Sequence, residues 1–156
     1  MNARINLYGD EFIARQVKHL STAGRIPEDV ISLTTQNLCL LRASQINGCG
    51  VCTDMHTKDA LHVGETPLRL AMVAAWREAT VFTDAERAAL ELTEEGTRIA
   101  DAAGGVSDEV WARAAEHYDE SQLAALILLV AIINAFNRLN LINQQPAGDY
   151  QPGQWG

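Results

Sequence analysis

Basic residues are scarce in this chain of 156 residues: 12 Lys and Arg stand against 20 Asp and Glu, for a net charge of −8. Such a balance repels phosphate backbones and anionic lipid, so neither nucleic acid nor a membrane is an expected partner. Cysteine is rare and odd in number, at three, which suits a secreted disulfide framework poorly. The opening twenty residues, MNARINLYGDEFIARQVKHL, hold no uninterrupted apolar core of the signal-peptide kind. Together these point to a reducing cytoplasm. No apolar–polar alternation is long enough for a strand, no repeat has a clear period, and no glycine-rich phosphate loop occurs. Apolar residues make up 47% and charged ones 21%, enough for one domain with a core of its own.

Helical spacing accounts for most of what is present. Asp10 can cap a helix over 11–23, with Phe12, Ile13, Val17 and Leu20 on one side and a stop at Gly24. Pro27 suits the first position of a second helix reaching about Gln45. One side of it would hold Val30, Leu33, Thr34, Asn37, Leu38, Leu41 and Ser44, so Asn37 is a polar residue on an apolar face. Cys39 points elsewhere, as a packing cysteine. A third helix spans Gly48 to Gly64, and Thr66-Pro67 opens a short fourth through Trp76. Thr83-Asp84-Ala85-Glu86 is a capping box for a fifth, and Ser107 caps a sixth.

Ser121 starts the last helix, Gln122 to about Asn143. Its apolar run from Leu123 to Ile133 is too short to span a bilayer, yet apolar all round, hence central or shared with another subunit. Asn134, Asn137 and Asn140 are expected to hydrogen-bond to neighbouring helices. Residues 1–143 read as one domain and 144–156 as a loose tail.

Chemistry concentrates in Asn47-Gly48-Cys49-Gly50-Val51-Cys52-Thr53-Asp54-Met55-His56. If Asn47 caps the third helix, a rotation of about 100° per residue puts Cys49, Cys52 and His56 within about 60° of arc. Both cysteines then lie in the first turn, where free N–H groups and the helix dipole favour an anion. The thiolate is the reactive form of cysteine, so the stretch reads as a dithiol built to react. Spacing alone leaves three other readings open. They are a structural disulfide, a zinc site with no evident fourth ligand, and two buried cysteines acting as small apolar residues.

The segment Leu41-Arg42-Ala43-Ser44-Gln45-Ile46-Asn47-Gly48-Cys49, followed by Cys52, Asp54, Met55 and His56-Thr57-Lys58, resembles AhpD-type alkylhydroperoxidases of the carboxymuconolactone decarboxylase superfamily. Gly64-Glu65-Thr66, Ala75-Trp76-Arg77-Glu78, Phe82-Thr83, Ile133-Asn134 and Asn137-Arg138-Leu139 extend the likeness across Pro27 to Ile142. The resemblance implies an all-α bundle of about seven helices, assembled as a homo-oligomer, trimer or hexamer. It implies a thiol-dependent peroxidase in which peroxide is the substrate and an external dithiol the reductant, with no cofactor and no metal. By position, Cys52 matches the peroxide-attacking cysteine, Cys49 its resolving partner and His56 the histidine of the proton relay. The relay glutamate, twelve residues before the first cysteine, is here Asn37, and a second histidine is replaced by Val51. Asn37 cannot titrate, though it could orient a water.

Two alternatives stand beside the peroxidase. One is a lactone decarboxylase-like enzyme, whose chemistry does not depend on a C-x-x-C pair. The other is a redox-sensing or zinc-stabilised helical oligomer without turnover.

Overall fold

The computed structural model describes residues 2–154, all of whose regular structure is helical. Seven α-helices follow one another: α1 (Glu11–Ala23), α2 (Leu33–Asn47), α3 (Gly50–His62), α4 (Pro67–Met72), α5 (Asp84–Thr97), α6 (Asp108–Ala115) and α7 (Glu120–Asn143). A short 3-10 turn, Val73–Ala75, follows α4. Every helix but α3 begins at a Ser, Thr or Asp whose side chain accepts a backbone N–H three residues on: Asp10, Ser32, Thr66, Thr83, Ser107 and Asp119. Each such cap contributes about 1 kcal/mol and fixes where the helix starts. The all-helical bundle of about seven helices expected from the sequence is the fold observed.

The fourth helix stops at Met72 and passes into the 3-10 turn instead of reaching Trp76, and three further boundaries differ from the sequence reading. Pro27 does not open α2; it starts a turn in which Val30 and Ile31 donate back to its carbonyl. The Gln36 amide holds the Ile26 and Ile31 carbonyls at 3.1 and 2.6 Å, and Ile31 is drawn into the core, so the helix waits for Ser32. Asn47 ends α2 rather than capping α3. Gly48 sits at φ 71°, where a glycine carries no Cβ penalty, and the N–H groups of Gly48 and Cys49 close back onto Gln45 and Ser44. The last helix starts at Glu120, because the Asp119–Gln122 capping box outcompetes Ser121.

The hub is α2, which packs against α3, α5 and α7. Its Cys39 joins Leu92, Val110, Leu126 and Leu129 in one core. Leu38 and Leu41 meet Ala60, Val73, Trp76 and Leu90 in a second. Ala43 packs with Cys49, Val51, Cys52 and Ile133 in a third. Cys39 is thus the packing cysteine expected, its thiol pushed up to about 12 by burial.

Counted whole, α7 is long and apolar enough by length and composition to cross a membrane, unlike its eleven-residue run alone. One side of it, Leu123, Leu126, Leu129, Val130 and Ile133, is nevertheless buried in this chain's own core, while Ile127, Leu128, Leu141 and Ile142 stay exposed.

The C-terminal segment, read as a loose tail, is docked as far as it is described. Gly148 N–H donates to Asp54 at 3.0 Å, and Lys58 donates to the Gly148 and Tyr150 carbonyls at 2.8 and 3.0 Å. The buried Tyr150 donates its hydroxyl to Asp59 at 2.8 Å. Its lack of periodicity is real, but α3 offers it an i, i+4 pair, Asp54 and Lys58, as an anchor. Trp155 and Gly156 of that tail lie outside the described residues.

Candidate active site

Ending α2 at Gly48 leaves Cys49 as the N-cap of α3 and Cys52 as its third residue. An N-cap side chain lies over the first free N–H groups of its helix. The sulfur of Cys49 accordingly meets the backbone N–H groups of Val51 and Cys52, though it closes no cap hydrogen bond of ordinary geometry. The two thiols are neighbours in one buried cluster, each cysteine 1% exposed. Within the pair the Cys49 thiol is lowered to about 7, chiefly by the adjacent Cys52 thiol, with help from the backbone amides and Asn137. The Cys52 thiol is pushed up by the adjacent Cys49 and by burial. The sequence reading placed both cysteines in the first turn and the first proton loss at Cys52. The resting electrostatics favour Cys49, first through the adjacent Cys52 thiol and then through the backbone N–H groups at the helix start.

Around the sulfurs stand asparagines. Asn140 on α7 donates its side-chain amide to the Cys52 sulfur at 3.2 Å. Asn137, fully buried, lies against both sulfurs, donates to Ser44 Oγ at 3.2 Å and accepts from Asn47 at 2.8 Å. Asn47 also donates to Asn134 at 2.9 Å. The expected links between helices are therefore present; the amide on Cys52 was missed. Its signal was the placement of Asn137 and Asn140 three apart on an apolar helix, beside a cysteine-bearing turn.

His56 is buried, one turn beyond Cys52 on α3. Burial lowers its pKa to about 4, so the imidazole is neutral near pH 7 and can accept a proton. Its Nε2 has no hydrogen-bond partner, and it makes no bond to Cys52. Asn37 is half-buried on α2 and makes no side-chain hydrogen bond among the described residues. The structure thus buries Cys49 and Cys52 side by side, and joins neither His56 nor Asn37 to them by hydrogen bonds. Tyr8, from the segment before α1, lies near enough to Cys52 for its hydroxyl pKa to be raised by burial and by that sulfur. Among the described residues no group of three or more His, Cys, Asp or Glu is placed to hold a metal ion.

Three comparisons bear on this site. Residues 13–95 match the model of the carboxymuconolactone decarboxylase family. The uncharacterized protein YdfG of Bacillus subtilis is 44% identical over 111 residues, covering 71% of this chain and 74% of that protein. A crystal structure of a protein of unknown function from Agrobacterium tumefaciens, provisionally named an AhpD antioxidant defence protein, superposes with TM-score 0.87 at 27% identity. It covers 96% of this chain and 100% of its own. An uncharacterized peroxidase-related protein from Silicibacter, at 14% identity and TM-score 0.75 over 94% of this chain and 76% of its own, shares the fold. With its dithiol at the start of α3 and seven helices in this order, the chain belongs to the carboxymuconolactone decarboxylase family, as a member of AhpD type.

Proposed function

We propose that the chain is a thiol-dependent peroxidase that reduces organic or hydrogen peroxides through a Cys49/Cys52 dithiol–disulfide cycle. The observation that carries this is the pair of neighbouring buried thiols at the N-terminus of α3, with an amide of Asn140 on the Cys52 sulfur and the Cys49 thiol lowered to about 7. As peroxide arrives, a proton passes from Cys52 to Cys49. The Cys52 thiolate attacks one peroxide oxygen, the O–O bond breaks, and the leaving alkoxide takes up a proton to become the alcohol. Cys52 is left as a sulfenic acid. Cys49 gives up its proton to neutral His56 through water and attacks the Cys52 sulfur. Hydroxide leaves as water, and a disulfide forms. Two electrons have passed from dithiol to peroxide, and an external dithiol returns them by exchange. Asn37 serves by holding a water of this relay.

The intact dithiol favours this over a lactone decarboxylase-like reaction, which would leave a pair of neighbouring buried thiols without a task. Free thiols of this kind fit a reducing cytoplasm. The exposed side of α7 and the amphipathic α1, which buries none of its residues, support a homo-oligomer, trimer or hexamer, that covers them. The deciding experiment is peroxide consumption by reduced protein with a small dithiol as electron donor. Multiple turnovers, lost in Cys52→Ser, are expected. A single oxidation with no turnover under any dithiol would make the protein a redox sensor instead.

A further inference from the structure

The hydrogen bonds beside the sulfurs have a direction that can be deduced. A backbone carbonyl only accepts, so the Asn134 amide nitrogen must be the atom facing the Val130 carbonyl at 2.9 Å; it also reaches Thr97 Oγ1 at 3.2 Å. That turns Asn134 Oδ1 toward Asn47, whose Nδ2 spends its two hydrogens on Asn134 Oδ1 and Asn137 Oδ1. Asn137 must then present its own NH₂ to Ser44 and to the sulfurs. Ser44 fixes the same polarity from the other end: its hydroxyl donates to the Leu40 carbonyl at 2.8 Å and so accepts from Asn137. Two carbonyls that can only accept therefore orient the chain of amides, and its donors point at the dithiol.

We propose that Asn140 on α7 is the amide donor of the dithiol, acting on Cys52, and that Asn137, one turn earlier on the same helix, is a positioning residue whose amide the chain of hydrogen bonds turns toward the pair. The assignment rests on the redox reading of the Cys49/Cys52 pair and adds Asn140 to its catalytic residues. Asn140 already touches the Cys52 sulfur at 3.2 Å. A neutral thiol accepts such a bond weakly; a thiolate accepts it as a charge-assisted bond of about twice the strength. The donors therefore stabilise the state in which Cys52 has released its proton, the state that attacks. The Asn140 bond, with the nearby Asn137 amide, lowers the Cys52 thiol against the adjacent Cys49 and the burial that raise it. The titratable groups nearest this sulfur are Cys49 at the helix start, Tyr8 from the N-terminal segment and His56 one turn along α3. His56 is uncharged above about pH 4, so near neutral pH the asparagines supply donors without a counter-charge.

The test uses reduced Cys49→Ser protein, in which Cys52 titrates without its partner, and follows alkylation of Cys52 by iodoacetamide against pH with site-resolved mass spectrometry. The midpoint of that profile is read rather than the rate, so limited access to the sulfur cancels. Asn140→Leu removes the donor and Asn140→Asp replaces it with an acceptor of the same shape. Both should move the midpoint upward, by about one unit or more, which is about a tenfold loss of reactivity on the acid limb. In Cys52→Ser protein Asn140→Leu should leave the Cys49 midpoint in place, whereas Asn137→Asp should raise it. A Cys52 midpoint unmoved by Asn140→Asp overturns the assignment, as does a shift in Asn140→Leu alone, which would report packing. No peroxide enters the measurement, so a protein that fails to turn over peroxide but shows these shifts refutes only the peroxidase reading.

Discussion

Cys52 and His56 stand one turn apart on α3, and no hydrogen bond joins them. The imidazole is buried and neutral, with an unpartnered Nε2, so in the proposed cycle a proton would reach it from the thiols by way of water. His56→Gln should then slow the peroxide-driven oxidation while leaving the disulfide able to form. Stability offers a second readout. The folded pKa of about 4 lies below the ordinary imidazole value of 6.5, so the unfolded chain binds the proton first. The contribution is complete above pH 6.5 and is lost as pH falls through about 4, amounting to about 3 kcal/mol over that window. Urea midpoints of the native protein should fall between pH 6.5 and 4 more steeply than those of His56→Gln; parallel slopes would contradict a neutral, buried His56.

The two cysteines should divide the work unequally. Cys52→Ser should abolish peroxide consumption, whereas Cys49→Ser should react once and hold a sulfenic acid at Cys52 that passes on to the sulfinic form. Dimedone labelling with mass spectrometry locates the oxidised sulfur. Because the resting anion is on Cys49, the opposite order has a physical basis: sulfenic acid on Cys49 in Cys52→Ser, with none on Cys52 in Cys49→Ser, would reverse the roles. In the native dithiol, alkylation of Cys49 should be half-maximal near pH 7.

Much of this site is legible in the residues, and the failures have specific causes. Cys49, Cys52 and His56 lie close together along α3 for any helix through them, so a start misplaced by two residues did not separate the two cysteines. The start itself was misread because Asn47 and Gly48 each carry a helix-end signal. Asn47 can cap a new helix, but Gly48 in the left-handed conformation ends the old one and hands the cap to Cys49. That two-position difference puts Cys49 itself over the free N–H groups of α3. Asn140 on Cys52 could not be read, since periodicity along α7 does not say which helix faces it. The docked tail was hidden for the same reason: Tyr150 meets Asp59 across 91 residues of sequence.

Tyr150 makes that docking testable. Tyr150→Phe keeps the buried ring and removes the bond to Asp59, and it should cost about 1 kcal/mol. Tyr150→Ala should cost about 3 kcal/mol or more by vacating the ring's site. Chemical denaturation followed by circular dichroism measures both. Equal stability of Tyr150→Ala and native protein would show that the segment is undocked in solution.

At Asn37 the peroxidase reading is exposed to a gain of function. The side chain is half-buried and commits no hydrogen bond, so a carboxylate one methylene longer can be placed there without breaking a contact. Asn37→Glu supplies the titratable group that the relay lacks and should raise kcat/KM for peroxide, most clearly above the carboxylate's own pKa. An unchanged rate would show that proton transfer from the dithiol is not limiting.

The last prediction concerns assembly. Ile127, Leu128, Leu141 and Ile142 on α7 are 52%, 41%, 42% and 68% exposed, and Phe12 on α1 is 58% exposed. Each of these half-exposed apolar side chains covered on association would contribute about 1 kcal/mol, which together favour association of the subunits. Sedimentation of the native protein should therefore give a trimer or a hexamer. Ile127→Glu places a charge in that surface, where it must be desolvated without a partner, and should shift the protein toward monomer. Circular dichroism should remain helical, because Ile127 lies outside the chain's buried core. A native protein that sediments as a stable monomer at micromolar concentration, or an Ile127→Glu variant assembled as tightly as native, would place the interface elsewhere or remove it.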